Sequence, residues 1–178
     1  MSDITVAGRY AVALFQIAKE QNLINQLEEE LRIVNEVFTK DKELLGFLAH
    51  PKMTSGAKRE VLANAFTGLS SSVQNTLMLM VERHRTDEVT AMAQEFIELA
   101  NEENSVADAT VYTVNPLTEA EAKAVSSAFA AKIGKRNLRI TNITDSNIIG
   151  GIKLQIGNRI YDGTISGKLD RLSKQLLG

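Results

Sequence analysis

Residues 138–172 read LRITNITDSNIIGGIKLQIGNRIYDGTISGKLDRL, and this run decides the fold of the second half of the chain. Ile152, Leu154 and Ile156 alternate with Lys153 and Gln155, the period-2 pattern of a half-buried strand. Gly157-Asn158 follows as a tight turn. Glycine accepts positive φ at the first central position, so the chain returns over residues 159–161 as the partner strand. A helix comes next, capped by Asp162 or Thr164, and Ile165, Leu169, Leu172 and Leu176 recur at spacings of four, three and four. That spacing gives the helix one apolar stripe, expected to face the sheet.

Upstream, residues 106–114 are rich in β-branched and aromatic side chains and read as a strand that stops at Pro116. Thr118-Glu119-Ala120-Glu121 is a capping box, which launches a helix through Ala124, Ala128, Phe129 and Ile133 to Gly134. Residues 138–144 are a further strand. Residues 106–178 are therefore predicted to form a small α+β domain in which helices cover one face of a mixed sheet.

The first 105 residues read as six short helices joined by polar loops. The first covers residues 4–21. In the second, Ile24, Leu27, Leu31, Val34 and Phe38 make a stripe, with Glu28, Glu29 and Glu30 on the other faces. Asp41 caps a short third helix that must end before Pro51, and Thr54 or Ser55 opens the fourth. Ser70 to Ser72 start the fifth, with Val73, Leu77, Met80 and Val81 in phase. Thr86 or Asp87 starts the sixth, with Val89, Met92, Ala93, Phe96 and Ala100 in phase. The predicted class is α+β, mainly α: an N-terminal six-helix bundle over residues 1–105, then a small C-terminal α+β domain with a mixed sheet.

Composition narrows the function. The net charge of −2 hides an asymmetry: residues 1–105 hold 10 basic and 16 acidic side chains, and residues 106–178 hold 10 and 6. Two differently charged halves suit two different partners, although ordinary scatter on solvated faces would produce the same count. With no cysteine there is no disulfide, thiolate metal site or cysteine nucleophile. No apolar run approaches the length of a membrane span, and the N-terminus lacks the basic and apolar blocks of a signal peptide, so the chain is expected to be soluble and cytosolic, with any membrane link indirect.

No catalytic or cofactor site is expected. Gly163 and Gly167-Lys168 resemble a phosphate loop only superficially, because three residues rather than four separate the glycines and Leu169 stands where a hydroxyl must hold magnesium. His50 and His84 are too few for a multi-histidine metal site, and no G-x-S-x-G nucleophile motif occurs. Lys132, Lys135, Arg136 and Arg139 cluster without an aromatic platform, so they read as a solvated face rather than a nucleic-acid site.

The first helix is apolar around more of its circumference than a surface helix needs. Val6, Tyr10, Ala13, Leu14 and Ile17 form one stripe, while Ala7, Ala11, Phe15 and Ala18 form a second. Such a helix is either central to its own bundle or packs on one face and lines a groove with the other. The fifth helix has the same property, since residues 77–81 are consecutive apolar side chains that include two methionines, which adapt well to a groove.

The order Asp145, Ile148-Ile149, Gly150-Gly151, Ile152-Lys153-Leu154, Gly157, Tyr161-Asp162-Gly163, Ser166-Gly167-Lys168-Leu169 resembles the C-terminal signature of the δ subunit of F-type ATP synthases, the relative of the mitochondrial oligomycin-sensitivity-conferring protein. Residues 6–15, VAGRYAVALF, are similar to that family's first helix. The resemblance covers the chain end to end. It implies a non-catalytic stator subunit, one copy in a hetero-oligomeric complex, that ties the catalytic head to the peripheral stalk and resists rotor torque during proton-driven ATP synthesis. The implied partners are the N-terminal helices of α subunits, taken against the first and fifth helices, and the b-type stalk subunits, met by the C-terminal domain. Carried onto this chain, the groove residues are Val6, Tyr10, Ala13, Leu14, Ile17, Leu77, Met78 and Val81, and the signature residues are Gly150, Gly151, Gly157, Asp162, Gly163 and Gly167. No cofactor, metal, nucleic acid or membrane insertion is implied, and the expected location is the cytoplasmic face of the cell membrane, peripherally, through the complex. A free-standing adaptor that grips amphipathic helices is the alternative.

Overall fold

The polar residue ahead of each apolar run sets a helix start. The carboxylate of Asp41 accepts from the backbone N–H groups of Glu43 and Leu44 at 3.0 and 2.9 Å, and the hydroxyls of Thr54 and Ser70 accept from Ala57 and Val73 at 3.3 and 3.5 Å. Thr118 takes the Glu121 N–H at 3.3 Å while the Glu121 carboxylate accepts the Thr118 N–H at 2.9 Å, which completes the capping box. The computed structural model describes residues 6–50 and 53–177; the expected helix start at residue 4 lies outside them, and the third helix ends at Ala49, ahead of Pro51. Along the chain run α1 (Val6–Glu20), α2 (Ile24–Lys40), α3 (Lys42–Ala49), α4 (Ser55–Ala65), α5 (Ser71–Glu82), a single 3-10 turn (Thr86–Glu88) and α6 (Val89–Glu103). Then come β1 (Val106–Thr113), α7 (Glu119–Ile133), β2 (Asn137–Thr144), β3 (Lys153–Ile156), β4 (Arg159–Asp162) and α8 (Ile165–Leu177). The chain divides into two compact units, Met1–Ala100 and Asn101–Gly178.

The core of the first unit gathers the stripe of every helix, including Leu14, Leu31, Val34, Leu77, Met80 and Phe96. Phe15 meets Phe96 edge to face at 5.7 Å between ring centroids, and Phe38 stacks on Phe66 at 6.1 Å. Two of the three acidic residues assigned to outer faces of α2 are instead buried. Glu30 accepts from the N–H and hydroxyl of Ser70 at 2.9 and 2.7 Å, so a carboxylate from α2 sits at the start of α5 and favours its positive end. Glu28 is held by Arg32 at 2.8 Å one turn on. A hydrophobic pattern marks where apolar faces go, but long-range polar partners leave no such mark.

Helix ends are closed by left-handed residues. After α1, Asn22 has φ 55°, the Leu23 N–H reaches the Ala18 carbonyl at 2.8 Å and the Asn22 N–H reaches that of Lys19 at 3.3 Å. After α5 the same pair of bonds runs from Arg85 to Met80 at 2.9 Å and from His84 to Val81 at 3.1 Å, with His84 at φ 54°. Both are Schellman closures built without glycine, at the steric cost of a Cβ in the left-handed region.

The second unit is a four-stranded sheet in the order β2-β1-β3-β4. β1 pairs parallel with β2 across the α7 crossover, and antiparallel with β3, which continues through the Gly157-Asn158 turn into β4. Gly157 has φ 54° while Asn158 keeps negative φ, so glycine supplies the one position that a tight hairpin of this hand demands. Register puts Val111, Asn142, Leu154 and Tyr161 on one face, which α7 covers with Val125, Phe129 and Ile133. Phe129 packs edge to face on Tyr161 at 5.5 Å. The opposite face carries Asp108, Arg139, Thr141, Lys153 and Gln155, with Lys153 over the Tyr112 ring at 5.6 Å.

One expectation is corrected at this face. The stripe of α8 does not pack on the sheet: Ile165, Leu169, Leu172 and Leu176 are from 47% to 85% exposed. One sheet face is taken by α7, and the other mixes Asp108, Arg139, Lys153 and Gln155 with Tyr112, Ile143 and Ile160, of which the two isoleucines are themselves exposed, so the α8 stripe does not cover it.

Candidate helix-binding groove

α1 splits its two stripes between two environments. Ala7, Ala11 and Ala18 are buried with Gly8 and Leu14, because only small side chains let a helix axis approach its neighbours this closely. Val6, Tyr10, Ala13 and Ile17 look outward or lie at the margin, and Ile17 is 41% exposed. α5 runs alongside α1 and presents Leu79, 42% exposed, toward the same side, with Met78 half-buried. Val6, Arg9, Tyr10 and Ala13 of α1 together with Leu79, Arg83 and Arg85 enclose an open groove of about 600 Å³.

Three of the eight groove residues carried over by resemblance belong elsewhere. Leu14, Leu77 and Val81 are only 1–3% exposed and face the core of their own bundle. The reason is phase. Val73, Leu77, Met80 and Val81 form one inward stripe, so the outward side of α5 falls on Leu79, about 200° around the axis from Leu77. Leu79 stood in the apolar run and helical phase alone would have selected it. Arg9, Arg83 and Arg85 had no comparable signal.

The signature residues of the second unit build its turn and the entry to α8. Gly151 has φ 85°, and a Cβ there would lie 2.5 Å from the Gly163 carbonyl oxygen and 2.9 Å from the Thr164 Cα, so the two glycine segments cross in backbone contact. Gly150 and Gly163 belong to the same crossing: a Cβ on Gly150 would meet the Ile165 side chain at 2.8 Å, and one on Gly163 the Ile152 carbonyl at 3.2 Å. Asp162 accepts from the hydroxyl and N–H of Thr164 at 2.7 and 2.8 Å, and the Thr164 hydroxyl in turn accepts from the Gly167 N–H at 3.0 Å. A side chain at Gly167 would strike the Asp162 carboxylate at 2.8 Å. The signature is thus a cap with its supporting shell.

The Thr164 hydroxyl bond, then the Thr164 N–H bond, hold the Asp162 carboxyl below its ordinary range, with Arg171 and Lys153 adding attraction. A carboxyl depressed in the folded state contributes stability above its ordinary value of about 3.9 and loses it as pH falls through the depressed value. Amide protection of Thr164 and Gly167 is therefore expected to drop as pH falls below about 4, and Asp162→Ala is expected to show the lowered protection already at neutral pH. Equal protection in that variant would remove Asp162 from the cap.

Among the described residues no group of three or more His, Asp or Glu side chains is placed to hold a metal ion, and no helix is long and apolar enough to cross a membrane. The basic cluster near α7 has local roles: Lys132 lies over the Phe129 ring at 4.8 Å and Arg139 pairs with Asp108 at 3.3 Å.

Residues 6–176 match the family described as ATP synthase delta (OSCP) subunit. Proteins described as ATP synthase subunit delta are similar over full length: that of Geobacillus sp. (strain WCH70) is 51% identical over 178 residues, covering 100% of both chains. Those of Anoxybacillus flavithermus and Bacillus subtilis (strain 168) are 52% and 50% identical, covering 99% and 100% of this chain and 99% and 98% of theirs. A chain in the cryo-EM structure of the Toxoplasma gondii mitochondrial ATP synthase hexamer shares the fold, with a TM-score of 0.73 at 23% identity over 98% of each chain.

Proposed function

The chain belongs to the ATP synthase delta (OSCP) subunit family, and from that premise we propose that its two units grip two different neighbours through two unpartnered apolar faces. It is a non-catalytic structural subunit of the peripheral stalk of an F-type ATP synthase and works within that hetero-oligomeric complex. In the proposed arrangement the groove between α1 and α5 takes the N-terminal helix of an α subunit. Val6, Tyr10, Ala13 and Leu79 form its apolar floor, with exposed Ile17 further along α1 and half-buried Met78 beside Leu79. The second unit meets the b-type stalk, and the exposed stripe of α8 is the contact. The complex holds the chain peripherally at the cytoplasmic face of the cell membrane.

The observation that carries this reading is the pair of apolar stripes left open to solvent, one on each unit, where a monomeric protein has no reason to leave them. A tether with two separate faces does mechanical work without chemistry. Head and stalk stay joined when each contact holds against torque, and binding one partner raises the effective concentration of the other.

The stalk contact is tested on the full chain with the soluble part of a b-type subunit. Leu172→Asp is expected to weaken capture by about 2 kcal/mol, because a carboxylate would be buried without a partner in an apolar contact. Its far-ultraviolet circular dichroism should match that of the parent chain, since Leu172 touches no core. Unchanged affinity would take the stalk off α8.

A further inference from the structure

We infer that the groove between α1 and α5 selects an amphipathic helix by acidic residues flanking its apolar stripe, and that Arg9, Arg83 and Arg85 read that charge. The inference rests on the helix-groove reading above and adds the chemistry of the occupant.

Residues 1–105 are acidic overall, yet three of their 10 basic side chains converge on this one groove. Among the described residues, none forms an ion pair with any of the three guanidinium groups. Glu82, beside Arg83 in sequence, is engaged by Arg59, and Asp87 and Glu88, which follow Arg85, do not line the groove. The groove therefore carries local positive charge against a negative background, with Val6, Tyr10, Ala13 and Leu79 as an apolar strip between.

Backbone geometry is what brings two of the arginines together. On a continued helix Arg83 and Arg85 would point about 200° apart. The left-handed His84 between them, at φ 54°, reverses the chain inside the Schellman closure, and both line one groove. A non-glycine residue in that region is held there by its surroundings, here by the two bonds of the closure. An occupant laying its apolar stripe on the strip would set its flanks against the arginines, whose planar forks match carboxylates and repel lysines.

Two synthetic helices with the same leucine stripe, one flanked by glutamate and one by lysine, are titrated into the full chain. The glutamate helix is expected to bind about tenfold tighter, since three exposed pairs each contribute a factor of about two to three. The difference should shrink at high ionic strength and again in the double variant Arg83→Gln with Arg85→Gln, which keeps long side chains and leaves the fold intact by circular dichroism. Bulk charge predicts the reverse order, because the unit is net acidic, so a glutamate preference reports the groove itself. Equal binding of both helices, or tighter binding of the lysine helix, overturns the charge selection while leaving the groove in place. Failure of both to bind, with helices and chain folded, overturns the groove reading as well.

Discussion

Replacing Ala13 by glutamate is expected to weaken capture of an α-subunit N-terminal helix by about 2 kcal/mol or more, because the new carboxylate would put charge into the apolar strip of the groove and, one turn from Arg9, draw that guanidinium away from the acidic flank of the occupant. Folding should be unaffected. Ala13 is exposed and touches the groove rather than the core, and surface changes of this kind usually shift stability by no more than about 0.5 kcal/mol. The adjacent residue supplies the contrast. Leu14 is buried in the bundle, and Leu14→Ala is expected to cost about 3 kcal/mol of unfolding free energy through the cavity it leaves. Peptide titration and urea denaturation on both variants separate the two faces of one helix. If Ala13→Glu lowered stability and left affinity unchanged, the outer stripe of α1 would be part of the fold and not a docking surface.

The second large effect lies at Gly151. Alanine there must adopt φ 85° with its Cβ 2.5 Å from the Gly163 oxygen, where backbone faces backbone and no flexible side chain can yield. Left-handed strain alone costs about 1–2 kcal/mol, and displacing the crossing adds to it, so Gly151→Ala is expected to destabilise the second unit by at least about 2 kcal/mol. At Gly157 a Cβ would meet nothing within 4 Å, so alanine there bears only the turn strain. Denaturation of the two variants followed by a probe in the second unit gives the comparison. Equal losses would mean that the crossing is loose and that φ accounts for the whole effect.

Local signals carried most of the fold into view. The alternation around Leu154, the Gly157-Asn158 turn and the Thr118–Glu121 box each act over a few residues, and the structure has each of them in place. What periodicity leaves open is the identity of the covering surface. It marks the α8 stripe as apolar but not what covers it, and only the folded chain shows that Ile165, Leu169, Leu172 and Leu176 stay exposed beside a sheet face on which Ile143 and Ile160 are exposed too. The resemblance assigns Leu77 and Val81 to the groove, whereas their phase with Val73 places them in the core. Arg83 and Arg85 could not be paired by any helical rule, since the reversal that joins them is a backbone angle at His84. Glu28 and Glu30 are legible only from partners whose positions depend on the tertiary fold.

The closure of the first unit within residues 1–100 also sets an order in time. A ribosome delivers the chain from its N-terminus, and domains fold as units once their residues have emerged. Every residue of the α1/α5 groove precedes Thr86 and the core beneath it closes with α6 by Ala100, so that surface emerges complete before the sheet does. β1, in contrast, must wait through the whole of α7 for β2 and longer still for β3, and α8 follows all four strands. Translation therefore presents the groove first and α8 later, and a nascent chain can meet one neighbour while the surface for the other is still being made.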